Sequence, residues 1–397
     1  MTQLDAFGRD YLRLVLEIHA HHIDGYVDAY VGPAELKAEV DAAPPQTPAD
    51  LLAAVADLQE RIPEGDPTRA AYLAAALRGI DCTVRMLNGR TFDYLDEVHR
   101  IYDIRPELVA EARFEEAHRQ LDQVLPTGEG DLPGRLLAYH QAFEIDAARA
   151  LPLLELARAE TRRRTAALFA LPDDEGVEVR LVSGQPWSAY NWYLGHGRSL
   201  IEFNTDMPMR ATTLLGTFAH EGYPGHHTEQ LLKEPLYQAR GYAEQAAMLL
   251  HSPTAVIAEG IATTATEMIF PDGSHHDWNV EVLLPAAGIA HDTTADMMRR
   301  VAAAGEALAY VTGNAAILYH TGQLDRDQTI DYIRAYGLVP QNRAEKSFSF
   351  LSHPLYRSYI FTYSVGHDLI KATADPAATF RRCLTEQVLP SALRANH

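Results

Sequence analysis

The chain has 397 residues, enough to bury a large core in two or three domains or in one large helical body. It carries 34 Lys and Arg against 54 Asp and Glu, a formal net charge of −20, so most of its surface should repel nucleic acids and anionic membranes. Its two cysteines, Cys82 and Cys383, form no C-x-x-C motif, which argues against a thiolate zinc site and leaves His and carboxylates as the expected ligands of any metal.

The same composition predicts where the protein works. No uninterrupted apolar run approaches the roughly 20 residues that a membrane-spanning helix needs. The N-terminal sequence lacks the basic start, apolar core and cleavage site of a signal peptide. We therefore expect a cytoplasmic protein with no membrane and no nucleic-acid partner.

Two kinds of pattern follow one another along the chain. From residue 7 to about 174, Ala, Leu, Glu and Arg dominate and apolar residues recur every three or four positions, which predicts helix after helix. Between 177 and 205 the runs VEVRLV and SLIEFN flank a segment rich in Gly, Pro and aromatic residues and predict a small antiparallel sheet. From about 208 the helical pattern resumes. We predict a mainly α fold, with an N-terminal helical region at 1–175 and a second region at 176–397 that form one continuous helical body.

Two predicted helices of the second region carry candidate metal ligands. The helix at about 210–221 is apolar on more than one face, so it is expected to be buried. The next begins where Ser252 can cap it and Pro253 can take its first position, which places Glu259 near its middle. A glutamate in such an apolar setting usually needs a metal or a charged partner, and a salt bridge or an exposed position is the simpler alternative.

The stretch TFAHEGYPGHHTEQ, residues 217–230, holds the other candidates. It opens like the H-E-x-x-H motif of zinc peptidases, in which two histidines four residues apart face one ion and the Glu reaches a water on it. Here the next histidines are His226 and His227, six and seven residues after His220. On a continuous helix His226 would lie about 120° away from His220, too far round for both imidazoles to bind one ion.

Pro224 and Gly225 offer a way out of this contradiction. Proline lacks the amide hydrogen that a continuous helix needs, and glycine tolerates unusual dihedral angles, so the helix should break between Tyr223 and His226. Such a break can return a histidine to the metal, and we predict that it is His226 and not His227. The simpler alternative is that both histidines belong to a polar loop.

Two motifs and their surroundings give the chain a family resemblance. HEGYPGHH followed by EGIATTATE resembles the signature pair of the domain of unknown function 885 family, helical zinc metallohydrolases with H-E-x-x-P-G-H and then E-G-W-A motifs. The segments GRSLIEFNTDMP, YIFTYSVGHDLI and LPSALR are similar to further parts of that family, so the resemblance covers about 180–397. It departs from the family at Ile261, where Trp is usual, and at Tyr359, where many members have Gln.

The resemblance implies a function for individual residues. It makes region 176–397 the metallohydrolase region of a zinc-peptidase-like body, with the small β element next to the active-site helix. It implies one Zn²⁺ ion held by His220, His226 and Glu259, with Glu221 as the general base and Glu267 in a supporting position. The implied reaction is hydrolysis of peptide or small amide bonds.

Three aromatic side chains near the C-terminus are candidates for stabilising the oxyanion that such a reaction forms: Tyr363, Tyr359 and His353. The alternative for the two tyrosines is a packed aromatic pair on one helix face. The run SLIEFN is a candidate edge strand that pairs with an extended substrate.

Two other functions stay open at this stage. The departures at Ile261 and Tyr359 allow a metal enzyme of specialised small-molecule metabolism on the same scaffold. A non-catalytic helical binding protein is the third possibility. A small peptide or amide is the expected partner under the first.

Overall fold

The computed structural model describes residues 4–185 and 187–394 of the chain. Helices make up most of this structure, which confirms the predicted mainly α fold. The N-terminal half contains α1 (Ala6–His21), β1 (Val27–Tyr30), α2 (Ala34–Ala42), α3 (Pro48–Glu60), α4 (Pro67–Leu87), α5 (Tyr94–Tyr102), α6 (Glu111–Val124), α7 (Leu132–Gln141), β2 (Glu144–Ile145) and α8 (Ala147–Ala166).

The middle of the chain contains the principal sheet and the helices of the predicted site. Its elements are β3 (Gly176–Val182), β4 (Ala189–Gly195), β5 (Arg198–Asn204), β6 (Met209–Arg210), α9 (Ala211–Glu221), α10 (His226–Gln238), a 3-10 turn at Ala243–Ala246, β7 (Ala247–Leu249) and α11 (Pro253–Ile269).

The remaining elements are again helical. They are α12 (His275–Trp278), a π-helical turn at Asn279–Leu283, α13 (Leu284–Ala286), α14 (Ala295–Leu308), α15 (Val311–His320), α16 (Arg326–Gly337), α17 (Gln341–Ser352), α18 (Phe361–Lys371), α19 (Pro376–Thr385) and α20 (Pro390–Arg394).

The sheet differs from the predicted antiparallel element. The strands β3 and β5, which are the two runs read from the sequence, pair in parallel, and the segment between them forms β4, antiparallel to β5. The β4–β5 hairpin turns through Gly195, His196 and Gly197, all at positive φ. Because this tight turn places β4 directly beside β5, one edge of β5 is occupied by β4. The strand β3 therefore pairs with the other edge. The prediction of SLIEFN as an edge strand is therefore wrong, because β5 lies in the centre of the order β3-β5-β4.

The core consists of several apolar clusters that meet at the site helices. One lies among α1 to α4 and includes Leu12 and Leu73. A second joins the sheet to α9, where the rings of Phe203 and Phe218 stack 6.3 Å apart. A third surrounds α11 and α18 and includes Ile261. The helix α9 is buried as predicted, because its apolar residues meet the sheet on one side and α11 on another.

Contacts also join the two halves of the sequence. The strand β1 pairs with β7, so Val27 lies opposite Leu249. The Arg69 guanidinium donates two hydrogen bonds of 2.8 Å to the buried Glu244 carboxylate. Both contacts place segments of the N-terminal half beside α10 and α11.

One stretch is long and apolar enough to cross a membrane by length and composition alone, namely Ala295–His320. Helices in the cores of soluble proteins pass the same test. Here the stretch divides into α14 and α15, and buried side chains of the two helices belong to two different core clusters. The stretch therefore assigns no membrane location, and the absence of a membrane partner stays a prediction.

The helix α11 starts as the sequence predicts, because the Ser252 side chain accepts a hydrogen bond from the Thr254 amide and Pro253 takes the first position. It then packs against α18 at two glycines. A Cβ on Gly260 would lie 2.6 Å from the Gly366 carbonyl oxygen, and a Cβ on Gly366 would lie 2.3 Å from the Val256 carbonyl oxygen. This backbone contact sets the position of α11 and of the Glu259 that it carries.

We expect Gly366→Ala to destabilise the protein by about 2–3 kcal/mol, because neither backbone can move away without disturbing the core. Gly305→Ala is the matched control. Gly305 lies exposed in α14, nothing would touch its Cβ within 4 Å, and helix propensity favours the alanine by up to about 1 kcal/mol. Urea unfolding of both variants measures the difference, and equal stabilities would contradict the close packing of α11 on α18.

Candidate metal centre

The predicted break in the motif helix is present. Helix α9 ends at Glu221 and α10 begins at His226, and the peptide bond between Tyr223 and Pro224 is cis. The Gly225 amide donates to the Ala219 carbonyl at 2.9 Å, so the chain folds back over the last turn of α9. A Cβ at Gly225 would lie 1.8 Å from the His220 carbonyl oxygen, which only glycine avoids. The fold-back carries His226 to the side of His220.

Three side chains converge at this point: His220, His226 and Glu259, whose candidate ligand atoms all lie within 4.8 Å of one another. The Nε2 atom of His220 lies 3.5 Å from Glu259 Oε2, and the Nε2 atom of His226 lies 3.9 Å from Glu259 Oε1. The two imidazole rings are perpendicular, with their centroids 4.9 Å apart. The structure therefore brings together the three residues that the resemblance implies as ligands.

The electrostatics of this group suit a cation. Burial, and for His220 also the neighbouring His226, lowers the pKa values to about 3 for His220 and about 4 for His226, so both imidazoles are neutral at pH 7 and keep a free lone pair. Burial raises the pKa of Glu259 to about 8, and a hydrogen bond from Tyr359, which lowers the pKa, offsets only part of this rise. Its Oε2 atom is buried without a hydrogen-bond partner, as is His226 Nδ1. Two neutral imidazoles and one carboxylate form the donor set of many catalytic zinc sites, so these residues fit the implied ion.

Glu221 lies at the same place, on the last residue of α9. It is only 8% exposed, and its carboxylate makes no hydrogen bond or ion pair with any described residue. Burial first, and then the charges of Glu259 and Asp28, raise its pKa to about 8. Its backbone carbonyl accepts a hydrogen bond of 2.5 Å from the Asn191 amide, which ties the end of α9 to β4.

His227 points elsewhere. Its fully buried ring bonds the Ser199 hydroxyl at 2.8 Å through Nδ1 and the Glu175 carboxylate at 3.1 Å through Nε2. Glu175 also accepts hydrogen bonds from the Tyr223 hydroxyl at 2.5 Å and from Arg162 at 2.7 Å. This network holds the start of α10 against the sheet, so the adjacent histidines of the motif have different partners.

The three candidate oxyanion donors occupy different positions. Tyr359 donates its hydroxyl to Glu259 Oε1 at 2.7 Å and so supports a predicted ligand. The Tyr363 side chain is 37% exposed, but burial around its hydroxyl and then the charges of Glu259 and Glu221 raise its pKa, so the hydroxyl lies within electrostatic range of both carboxylates. His353 is exposed, its ring lies 4.9 Å from that of Tyr356, and it forms no hydrogen bond or ion pair with the three described triad residues.

Two other expectations from the family resemblance fall outside the centre. Glu267 lies eight residues after Glu259 on α11, which separates the two by about 12 Å along the helix. At that distance its carboxylate bonds His367 at 3.1 Å and pairs with Lys371 instead of joining the triad. Ile261, where the family usually has Trp, is fully buried in the core cluster of α11 and α18.

Sequence reasoning missed several residues that contact the motif or lie near the triad. Asp28, Glu175, Asn191 and Ser199 all lie outside the motifs, on strands or before them. Single polar residues in such segments carry no pattern. Their proximity arises from the pairing of β1 with β7 and from the position of the sheet on α9 and α10.

Comparisons with known proteins concern the fold. No family model and no curated protein matches the chain. A structure described as a "putative lipoprotein" from Colwellia psychrerythraea matches with a TM-score of 0.54 and 14% identity, over 88% of this chain and 66% of that one. A "putative lipoprotein of unknown function" from Shewanella oneidensis matches with a TM-score of 0.51 and 13% identity, over 98% of this chain and 72% of that one. The chain thus spans about two thirds of the first neighbour, and at this identity the likeness shows a shared fold alone.

We expect Glu175→Gln to lower the free energy of unfolding by about 2–4 kcal/mol at pH 7, since it weakens the network that holds His227 and Tyr223. Arg162 is 43% exposed, so solvent screens its ion pair with Glu175 and reduces what that pair contributes to stability. Burial would raise the pKa of Glu175, but the hydrogen bonds from His227, Tyr223 and Arg162 outweigh it and hold the pKa at about 2.

The sign of the pH dependence follows from this lowered pKa. The stabilisation is complete above the ordinary glutamate pKa of about 4.3 and is lost as the pH falls towards 2, so the variant should lose less stability than the wild type over that range. Denaturant unfolding at pH 7, 4 and 3 measures both effects. Glu178→Gln, which changes a 66% exposed side chain on β3, is the control and should stay within about 0.5 kcal/mol of wild type.

Proposed function

We propose that the protein is a zinc-dependent hydrolase of peptide or small amide bonds. One observation carries the proposal: two neutral imidazoles and a buried carboxylate converge beside Glu221, a buried carboxylate with no partner of its own. Buried carboxylates need compensating charge, and among the described residues no Lys or Arg pairs with Glu221 or Glu259, which supports a site that gains its positive charge from a bound ion. The motifs support our further proposal that the chain belongs to the domain of unknown function 885 family.

In this proposal each residue has a separate task. His220, His226 and Glu259 hold the ion, and Tyr359 orients Glu259 through its hydrogen bond. Zinc supplies a Lewis acid for the substrate carbonyl and lowers the pKa of a water molecule. The Glu221 carboxylate accepts the proton that the attacking water loses and returns it to the nitrogen of the leaving amine. Tyr363, whose hydroxyl forms no hydrogen bond with any described residue, donates to the oxygen of the former carbonyl.

A metal enzyme of specialised small-molecule metabolism is the second candidate. The hydrogen bond from Tyr359 to Glu259 favours it, because it places a phenol where many family members have Gln. Bound metal together with inactivity across a broad peptide library would support this candidate over the first. The cytoplasmic location stays a prediction, since the lipoprotein descriptions of the structural neighbours apply to those proteins only.

The two adjacent histidines give a crossed test of the metal site. We expect His226→Ala to weaken zinc binding by more than about 100-fold, because it removes a proposed ligand. His227→Ala should keep zinc affinity within about tenfold of wild type but lower stability by about 3 kcal/mol, because it leaves Glu175 buried without its imidazole partner. Zinc titration against a chelator and urea unfolding measure the two effects. Loss of zinc in the second variant but not the first would overturn the ligand assignment.

Glu221→Gln tests the reaction. We expect the variant to bind zinc like the wild type and to lose about 10²- to 10⁴-fold in kcat, the usual contribution of a general base. Glu267→Gln makes the same chemical change on α11, where Glu267 pairs with His367 away from the triad, and should keep near-wild-type activity. Full hydrolysis by a zinc-loaded Glu221→Gln variant would exclude the proposed mechanism.

A further inference from the structure

A third carboxylate faces the proposed centre from the N-terminal half of the chain. Asp28 lies on β1, which β7 holds in place by antiparallel pairing just before the start of α11. The Tyr190 hydroxyl of β4 donates a hydrogen bond to the Asp28 carboxylate. Burial raises the pKa of Asp28 and the bond from Tyr190 lowers it, with a net rise. Neither motif of the sequence contains this residue.

Strand β4 links Asp28 to the catalytic end of α9. Tyr190 holds Asp28, and the next residue, Asn191, holds the carbonyl of Glu221 at 2.5 Å. Burial is the main cause of the raised pKa values of Glu221, Glu259, Tyr359 and Tyr363, and the charge of Asp28 adds to each of them. One carboxylate thus acts on the proposed base, on a proposed ligand and on both tyrosines of the site.

The charges around this space are unbalanced. Among residues 4–185 and 187–394, no Lys or Arg forms an ion pair with Asp28, Glu221 or Glu259. A divalent ion with these three carboxylates, when all are ionised, leaves a net charge of −1 in a largely buried site. A second positive charge would relieve this excess, and no described Lys or Arg is paired with any of the three carboxylates.

Aromatic rings pack around Tyr190, the residue that holds the Asp28 carboxylate. The Tyr190 ring lies 4.5 Å from the ring of Trp192 and 5.6 Å from that of Trp187, measured between centroids. Aromatic faces attract cations, so this wall complements the charge of Asp28. By contrast Arg357, on the C-terminal segment before α18, donates two hydrogen bonds to the buried Glu97 and is not free to bind an anionic group. The surroundings favour a cationic substrate group over an anionic one.

We propose that Asp28 binds the free ammonium group of the substrate, so that the substrates are amides and peptides with an unblocked amino group near the bond that is cleaved. The assignment rests on the proposed hydrolase function. Tyr190 orients the Asp28 carboxylate, and the substrate ammonium supplies the positive charge that the site lacks. Asp28 acts here as a specificity-determining residue and takes no part in the proton transfers of Glu221.

The test uses paired peptides that differ only in a free or an acetylated N-terminus, with the zinc-loaded full chain. We expect kcat/KM to be about 10- to 100-fold higher for the free peptides, the range of a hydrogen bond to a charged group. Asp28→Asn should reduce this preference to less than about threefold, chiefly by raising KM for the free peptides. Asp24→Asn removes the same charge from an exposed neighbouring residue and should keep the full preference.

A binding measurement separates this assignment from the proposed function. Calorimetry of leucinamide and N-acetyl-leucinamide with zinc-loaded Glu221→Gln should show tighter binding of the free amine, and loss of that difference when Asp28→Asn is added. If neither peptide series is hydrolysed, the hydrolase proposal fails, while the calorimetry still decides the role of Asp28. Equal binding of the two amides, or an unchanged preference in a folded Asp28→Asn variant, would overturn the assignment. If Asp28→Asn does not fold, Tyr190→Phe takes its place and should reduce the preference about threefold or more.

Discussion

The site depends on a backbone contact at the end of α9. The chain after Glu221 turns back so closely that residue 225 lies against the carbonyl oxygen of His220, where no side chain fits. This contact replaces the regular helical geometry that would have sent His226 away from His220. It also separates His226 from His227, one beside Glu259 and the other in the network of Glu175. The spacing of the motif is therefore compatible with a single ion.

A second constraint is the cost of buried charge. Glu221 and Glu259 lie in surroundings that raise their pKa values to about 8, so without a cation both carboxyls hold a proton at neutral pH. Asp28 adds to the same effect. An ion bound by His220, His226 and Glu259 reverses this balance, since positive charge favours the ionised carboxylates. In the proposed function, metal binding, proton transfer and recognition of a substrate cation would be coupled through the same electrostatic field.

The comparison between sequence and structure is instructive at the sheet. The two β-favouring runs form strands, but their pairing is parallel because the segment between them forms its own strand and occupies one edge of β5. Strand pairing depends on which edges are free, and local propensity contains no information about that. The tyrosines show a similar limit. The rings of Tyr359 and Tyr363 do pack edge to face, with centroids 5.7 Å apart, as the aromatic-pair alternative expected, but Tyr359 precedes the start of α18. Of the two, only Tyr359 also bonds Glu259.

The sequence alone determined the mainly α fold, the buried helix before the motif, the capped start of α11 and the break at Pro224 and Gly225. Each of these follows from local chemistry: periodicity, a cap, and residues that cannot continue a helix. Only the tertiary structure decided that Glu259 meets His220 and His226, that His227 joins Glu175, and that Asp28 faces the same space. Those contacts join residues far apart in the chain, and they arise because β1 pairs with β7 and because two glycines let α11 lie against α18. No short stretch of sequence contains both partners of such a contact.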